Sequence, residues 1–187
     1  PGILMMNVIS SSFANTSSSI YIGRFQNHIQ ELLVSPLSYL EIVLGYVCAG
    51  MARGVVIGLG IYGIAIFFTA ANITHFGAFL YFLFVTALLF SALGAVVGLW
   101  AKSFDHINLP VTFILVPLSY LGGVFHSLSI VPPFLATVSM FNIIFYMVNG
   151  IRYSMIGVSD VPFARATLIT GALTVVAIAW CVHLFTR

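Results

Sequence analysis

Apolar and polar positions alternate in long blocks along this chain. Five apolar runs, at about residues 1–22, 41–69, 77–101, 109–125 and 163–185, each have a length suited to crossing a bilayer as a helix. The stretch between the first two, residues 24–36, has a different rhythm. As a helix it places Ile22, Phe25, Ile29, Leu32, Leu33 and Pro36 on one stripe, with Arg24, Asn27, His28 and Glu31 opposite. That pattern predicts a short two-faced helix lying at the water boundary between two spans. Residues 127–149 break the rhythm again. Pro132 and Pro133 interrupt an apolar stretch too short on either side to cross, and Phe134, Phe141, Phe145 and Tyr146 supply interfacial aromatics. Two half-helices that dip into the outer leaflet and return are expected there, buried in protein or lining water.

The first run carries Asn7, Ser11 and Asn15 among many other Ser, Thr and Asn residues. These side chains need other helices, backbone carbonyls or water at membrane depth, so they read either as packing glue or as the wall of a transport path. Gly50, Gly54 and Gly58 in the second run, and Gly94 and Gly98 in the third, recur every fourth residue and predict close helix approach. Arg53 lies beside the first of these faces, inside an apolar run. It is either a structural or snorkelling cation or a contact on the substrate path. Glu41 is twelve residues away, about 18 Å along a helix, too far for a direct pair. Lys102 to Asn108 reads as a polar loop and Gly150 to Pro162, with Arg152 and Asp160, as another. Pro110 suits the first turn of the fourth span, Pro117 should disturb it, and Gly122-Gly123 should end it.

Composition narrows the class. The chain has 187 residues, of which 61% are hydrophobic and 5% charged, with a mean hydropathy of +1.15. A soluble domain carries about 25% charged residues, so this is an all-α, polytopic membrane protein. A net charge of +2 is too small to imply nucleic acid. Cys48 and Cys181 sit in apolar runs and read as buried small side chains. The histidines are scattered, Lys102 lacks a phosphate-binding loop, and no hydrolase or zinc motif occurs, so no metal, cofactor or catalytic residue is expected. Few acids lie within the runs, which weakens a proton-coupled mechanism, although an ion-gradient-driven carrier or channel stays open as the alternative. Lys and Arg divide three to two between the two sides, favouring the 24–36 segment in the cytoplasm. The chain starts at Pro1, and a further span ahead of it is expected.

The order PGILMM, RFQNHIQELLVSPLS, GLWAKSFD, FILVPLSYLGGVFHSLSIVPP and NGIRYSMIGVSDVP resembles the membrane permease of ABC-2 type exporters, in the branch of the nodulation-factor exporter. The resemblance covers nearly the whole chain. It implies six spans in a complete chain in the inner membrane, a homodimer of permeases, and a separate ATP-binding cassette subunit on the cytoplasmic face. It makes residues 24–36 the coupling helix, with Arg24, Asn27, His28 and Glu31 at the contact. It also makes the region after Gly122-Gly123, through Pro132, Pro133 and Arg152, the external helices near the pathway exit. Relatives often carry Asn-Pro where this chain has Asn142-Ile143, so a differently shaped turn is expected there. The cargo implied is lipid-linked, glycan or drug-like, moved outward.

Overall fold

The computed structural model describes residues 1–26, 38–68, 73–125 and 132–185. Seven helices follow one another in these residues: α1 (Gly2–Phe25), α2 (Tyr39–Phe68), α3 (Phe76–Trp100), α4 (Phe104–Leu121), α5 (Pro133–Met140), α6 (Ile143–Ile156) and α7 (Phe163–Phe185). Four of them, α2, α3, α4 and α7, are long and apolar enough to cross a membrane. α1 has 24 residues and matches them in length, but its Ser, Thr and Asn content keeps it out of that group. Several of its polar side chains bond back within the helix, whereas the buried Ser12 Oγ has no hydrogen-bond partner among the described residues. Asn7 Nδ2 donates to the Ile3 carbonyl at 2.8 Å, Ser11 Oγ to Asn7 at 2.6 Å, Ser17 Oγ to Phe13 at 2.8 Å and Ser18 Oγ to Ala14 at 2.6 Å. Such back-bonding removes most of the cost of a hydroxyl away from water.

α3 is the hub. It packs on α1 and α2 on one side and on α6 and α7 on the other. The predicted small-residue faces are what allow this. Gly50 fits against the Thr16 and Ser91 hydroxyls, Gly54 against the Ser12 and Ala87 side chains, and Gly58 between Leu83 and Val8. On α3, Gly94 and Gly98 press on the α1 backbone at Phe13 and Ser17. At Gly50 the three helices share a hydrogen-bonded node. Ser91 Oγ of α3 donates to the Val47 carbonyl of α2 at 2.7 Å, and it lies 2.6 Å from Thr16 Oγ1 of α1. The internal partners of these glycines are therefore α1 and α3 of the same chain.

Two boundaries and one burial differ from the sequence expectation. α4 starts at Phe104, not Leu109, so the polar loop is only 101–103 and Pro110 stands a turn and a half inside the helix. Pro110 and Pro117 each lack an N–H for the helical ladder, and between them Val111–Leu115 is wound as a π-helix. The supposed loop after Gly150 is helical to Ile156 and shrinks to residues 157–162. Gly150 does not break α6. It makes room for the Phe82 ring of α3, and the actual stop is Gly157, in the left-handed conformation at φ 76°. Cys48, expected to be buried, is exposed on α2, whereas Cys181 is buried.

α2 begins with a capping box. The Ser38 N–H donates to Glu41 Oε2 at 2.8 Å, and the Glu41 N–H donates to Ser38 Oγ at 3.3 Å. Glu41 is thus held at the helix end, as its separation from Arg53 requires. At the neighbouring end of the bundle, Arg24 in the last turn of α1 donates through Nη1 to the Gly98 carbonyl at 3.3 Å, to Leu99, and to Ala101 at 3.5 Å. It supplies the cation and donor that the C-terminal carbonyls of α3 lack. Arg24→Ala should lower stability by about 1 kcal/mol and speed amide exchange in the last turn of α3, as read by hydrogen–deuterium exchange.

Candidate functional site

Two polar constellations interrupt the apolar bundle. The first lies on the outer seam of α1 and α2. Arg53 Nη1 donates to Asn15 Oδ1 at 2.8 Å, joining two residues that are 38 apart in sequence. Asn15 continues a line along α1 with Asn7 and Ser11, at helical spacing of four, so all four residues singled out as path candidates share one seam. Arg53 and Asn7 are exposed on the outside of this chain, and Ser11 and Asn15 are partly so. On the side of α2 that carries Arg53 lie Gly45, Gly60 and Gly63, with nothing among the described residues within 4 Å of the space a Cβ would fill. Sequence inspection found only the inner glycine face. The outer glycines lack the four-residue repeat that reveals the inner face, so spacing does not find them.

The second constellation is at the opposite end from Arg24. Arg152 of α6 forms an ion pair with Asp160, Nη1 to Oδ2 at 2.9 Å, with both side chains about five-sixths buried at 15% and 16% exposure. Its Nη2 donates to the Gly123 carbonyl at 2.7 Å. Gly123 takes φ 75°, which lets the chain turn sharply out of α4. The end of α4 is held by α5 and the turn that follows it as well. Asn142 Nδ2 donates to the Leu118 carbonyl at 2.5 Å, and Ser139 Oγ donates to the Leu121 carbonyl at 2.7 Å. The Leu121 carbonyl is thereby satisfied by a side chain from α5, and the Leu118 carbonyl accepts the Asn142 amide in addition to the Gly122 N–H at 2.7 Å. The Asp160 N–H in turn donates to Asn149 Oδ1 at 3.0 Å. Gly122, Gly123 and Arg152 thus belong to one cluster, and Pro132 and Pro133 lead into α5 beside it.

The turn between the half-helices is set by Asn142, whose Oδ1 accepts the Ile144 N–H at 3.0 Å as an N-cap. Ile143 then occupies the first helical position, whose N–H needs no helical partner and where Pro is also accommodated. The turn therefore forms without a Pro at this position. Sequence reasoning missed Ser139, Asn142, Asn149 and Asp160 as members of this cluster. Only the N-cap role of Asn142 had a local signal.

Of the 24–36 group, Arg24 ends α1 and donates to the end of α3, whereas Asn27, His28 and Glu31 lie outside the described residues. Arg24 and Lys102 meet around one small surface depression with Tyr21, Phe25 and Ala101, so the two cations share one end of the bundle. No group of three or more potential metal ligands occurs among the described residues.

An all-helical bundle with apolar outer faces, buried glycine seams and a polar strip at mid-span defines a polytopic membrane protein of the transport type. The chain belongs to the ABC-2 type transporter family, whose model matches residues 1–156. It is 42% identical to the inner membrane transport permease YadH of Escherichia coli K12 over 180 residues, covering 96% of this chain and 69% of that protein. It is 28% identical to nodulation protein J of Rhizobium leguminosarum bv. viciae over 177 residues, covering 91% of this chain and 66% of that protein. No solved structure matches it significantly. The chain is a multi-pass transport permease subunit of the inner membrane.

Proposed function

We propose that this permease exports a lipid-linked, glycan or drug-like cargo, driven by a separate ATP-binding cassette subunit, and that two copies form the path. α1 serves as a membrane span together with α2, α3, α4 and α7, and residues 24–36 form the cytoplasmic coupling helix between α1 and α2. Arg24, Asn27, His28 and Glu31 face the ATPase. Arg53, Asn7, Ser11 and Asn15 line the path, and the α5–α6 region with Gly122, Gly123, Pro132, Pro133 and Arg152 stands at its outer end.

The observation that carries this reading is connectivity. The segment assigned to coupling joins the end of α1 to the start of α2, and those two helices are linked at mid-span by the Arg53–Asn15 bond. A push on that segment moves both walls of the seam together. The exposed small-residue face of α2 offers a second copy a close approach next to Arg53. Anchoring of Arg24 on α3 passes the same push into the hub.

Reversal of charge at the coupling segment tests the assignment. Glu31→Lys should cut co-purification with the ATP-binding subunit by roughly tenfold or more, while the permease still elutes as a folded protein. Unchanged co-purification would remove Glu31 from the contact. Transport into vesicles driven by an ion gradient without nucleotide would overturn the ATP-driven reading itself.

A further inference from the structure

Arg53 stands near the middle of α2, a helix of 30 residues running Tyr39–Phe68. It is 14 residues from one end and 15 from the other, roughly 21 Å of helix each way. The hydrocarbon half-thickness is about 15 Å, so the guanidinium starts at the depth where a cation is most costly. Arginine keeps its charge in such settings. Its partner among the described residues is the neutral Asn15 oxygen. The side chain is exposed on the outside of this chain, not enclosed within it.

An inventory of the carboxylates sharpens the point. The sequence holds four acids, Glu31, Glu41, Asp105 and Asp160. Glu41 is engaged with Ser38 at the start of α2. Asp160 is paired with Arg152 at one end of the bundle. Asp105 is in the first turn of α4. Glu31 falls between the end of α1 and the start of α2 in sequence. None belongs to the middle of a span, and a second copy of the chain brings only the same four. These 187 residues therefore place no carboxylate beside the mid-depth cation, in one copy or in two. Asn15, Ser11 and Asn7 extend a neutral hydrogen-bonding track from it along α1, with no competing positive charge.

We propose that the Arg53–Asn15 seam is an anion-binding station for the cargo, recognising a phosphate or carboxylate on an otherwise apolar or glycan-bearing molecule as it crosses. The proposal rests on the pathway reading above and narrows its cargo to molecules bearing a negative group. Arginine offers an oxyanion a planar pair of donors, and the Asn15 bond holds the guanidinium in place before the anion arrives.

The test uses the permease purified in nanodiscs of zwitterionic lipid and three photoreactive probes with the same diazirine-bearing alkyl chain. One ends in a phosphate, one in an alcohol, and one is a diacyl phosphatidylglycerol. Cross-linked peptides are mapped by mass spectrometry. The alkyl phosphate should label the α1–α2 seam around Asn15 and Arg53 at least roughly tenfold more than the alcohol, as expected for a charge-assisted bond. Arg53→Gln should abolish that preference and Arg53→Lys should retain most of it. Asn15→Ala, which leaves the charge in place, should weaken it by a smaller factor. Equal labelling by phosphate and alcohol, or a preference unaffected by Arg53→Gln, would overturn the anion station while leaving the path in place. Equal labelling by phosphatidylglycerol would assign the seam to bilayer lipid and overturn its role for cargo. Labelling of the seam by none of the probes would overturn the pathway reading and this inference with it.

Discussion

Gly50→Ala should destabilise the permease by about 2 kcal/mol, whereas Gly60→Ala, ten residues along the same helix, should leave it unchanged or up to about 1 kcal/mol more stable. The two substitutions add the same methyl group. At Gly50 that carbon would overlap the Thr16 and Ser91 hydroxyls and approach the Ser12 carbonyl at 3.2 Å. The overlap falls on the bond network that ties α1, α2 and α3 together, with Ser91 reaching Val47 at 2.7 Å and Thr16 at 2.6 Å. Relief requires parting the helices or rotating hydroxyls away from their acceptors, and the latter leaves buried polar atoms without partners. At Gly60 nothing lies within 4 Å of the added carbon, so only the better helix propensity of alanine is felt within the chain. Thermal unfolding of the purified variants distinguishes them. If a second copy packs against the outer face, Gly60→Ala should instead weaken association, read by cross-linking between copies with the unfolding temperature of the isolated chain unchanged.

Arg152→Ala should cost about 2–3 kcal/mol and loosen the re-entrant segment at both ends. The low end of the usual range for a broken buried pair applies because both side chains keep some contact with solvent. The loss leaves Asp160 without its counter-ion and the Gly123 carbonyl without the 2.7 Å bond from Nη2. Amide exchange should accelerate at Asp160, whose N–H is tied to Asn149, and at Gly122, whose N–H closes the end of α4 on Leu118 at 2.7 Å. Asp160→Ala removes only one of the two contacts and should cost less. The double variant should cost less than the sum of the two, because the ion pair is counted once in each single change. Strict additivity would show that the pair contributes nothing.

Much of this architecture is legible without coordinates because bilayer physics constrains the chain so strongly. Long apolar runs must be helical, since no water is present to satisfy an open backbone. Pro132-Pro133 opens α5, as expected of residues that lack an N–H donor, and the break between the two short helices falls at Phe141-Asn142. Small residues at spacing of four must face a close neighbour. Errors arose where one residue type serves two purposes. Gly150 resembles a helix end but is a socket for Phe82, and only Gly157, seven residues later, takes the left-handed turn. Pro110 suits a helix start but lies inside α4, because the π-helical turn that follows accommodates the missing donors. Cys48 lies in an apolar run, yet in a membrane protein an apolar side chain faces lipid as readily as protein, so hydropathy does not report burial.

The candidate site divides in the same way. Arg53 stands out in sequence as a cation in an apolar run, and Asn15 as an amide in another, but their separation by 38 residues hides the bond between them. The cluster of Arg152, Asp160, Asn149 and Gly123 is likewise drawn from three separate stretches and assembled only when α6 packs beside the end of α4. By itself the sequence determined the class of protein and its helical character, since both depend on composition and local periodicity. Tertiary structure alone decided which helices fill the glycine faces, which carbonyls Arg24 and Arg152 satisfy, and which polar residues share a seam. Those choices depend on contacts between distant parts of the chain, where shape and hydrogen-bond geometry discriminate among partners that hydropathy treats as equal.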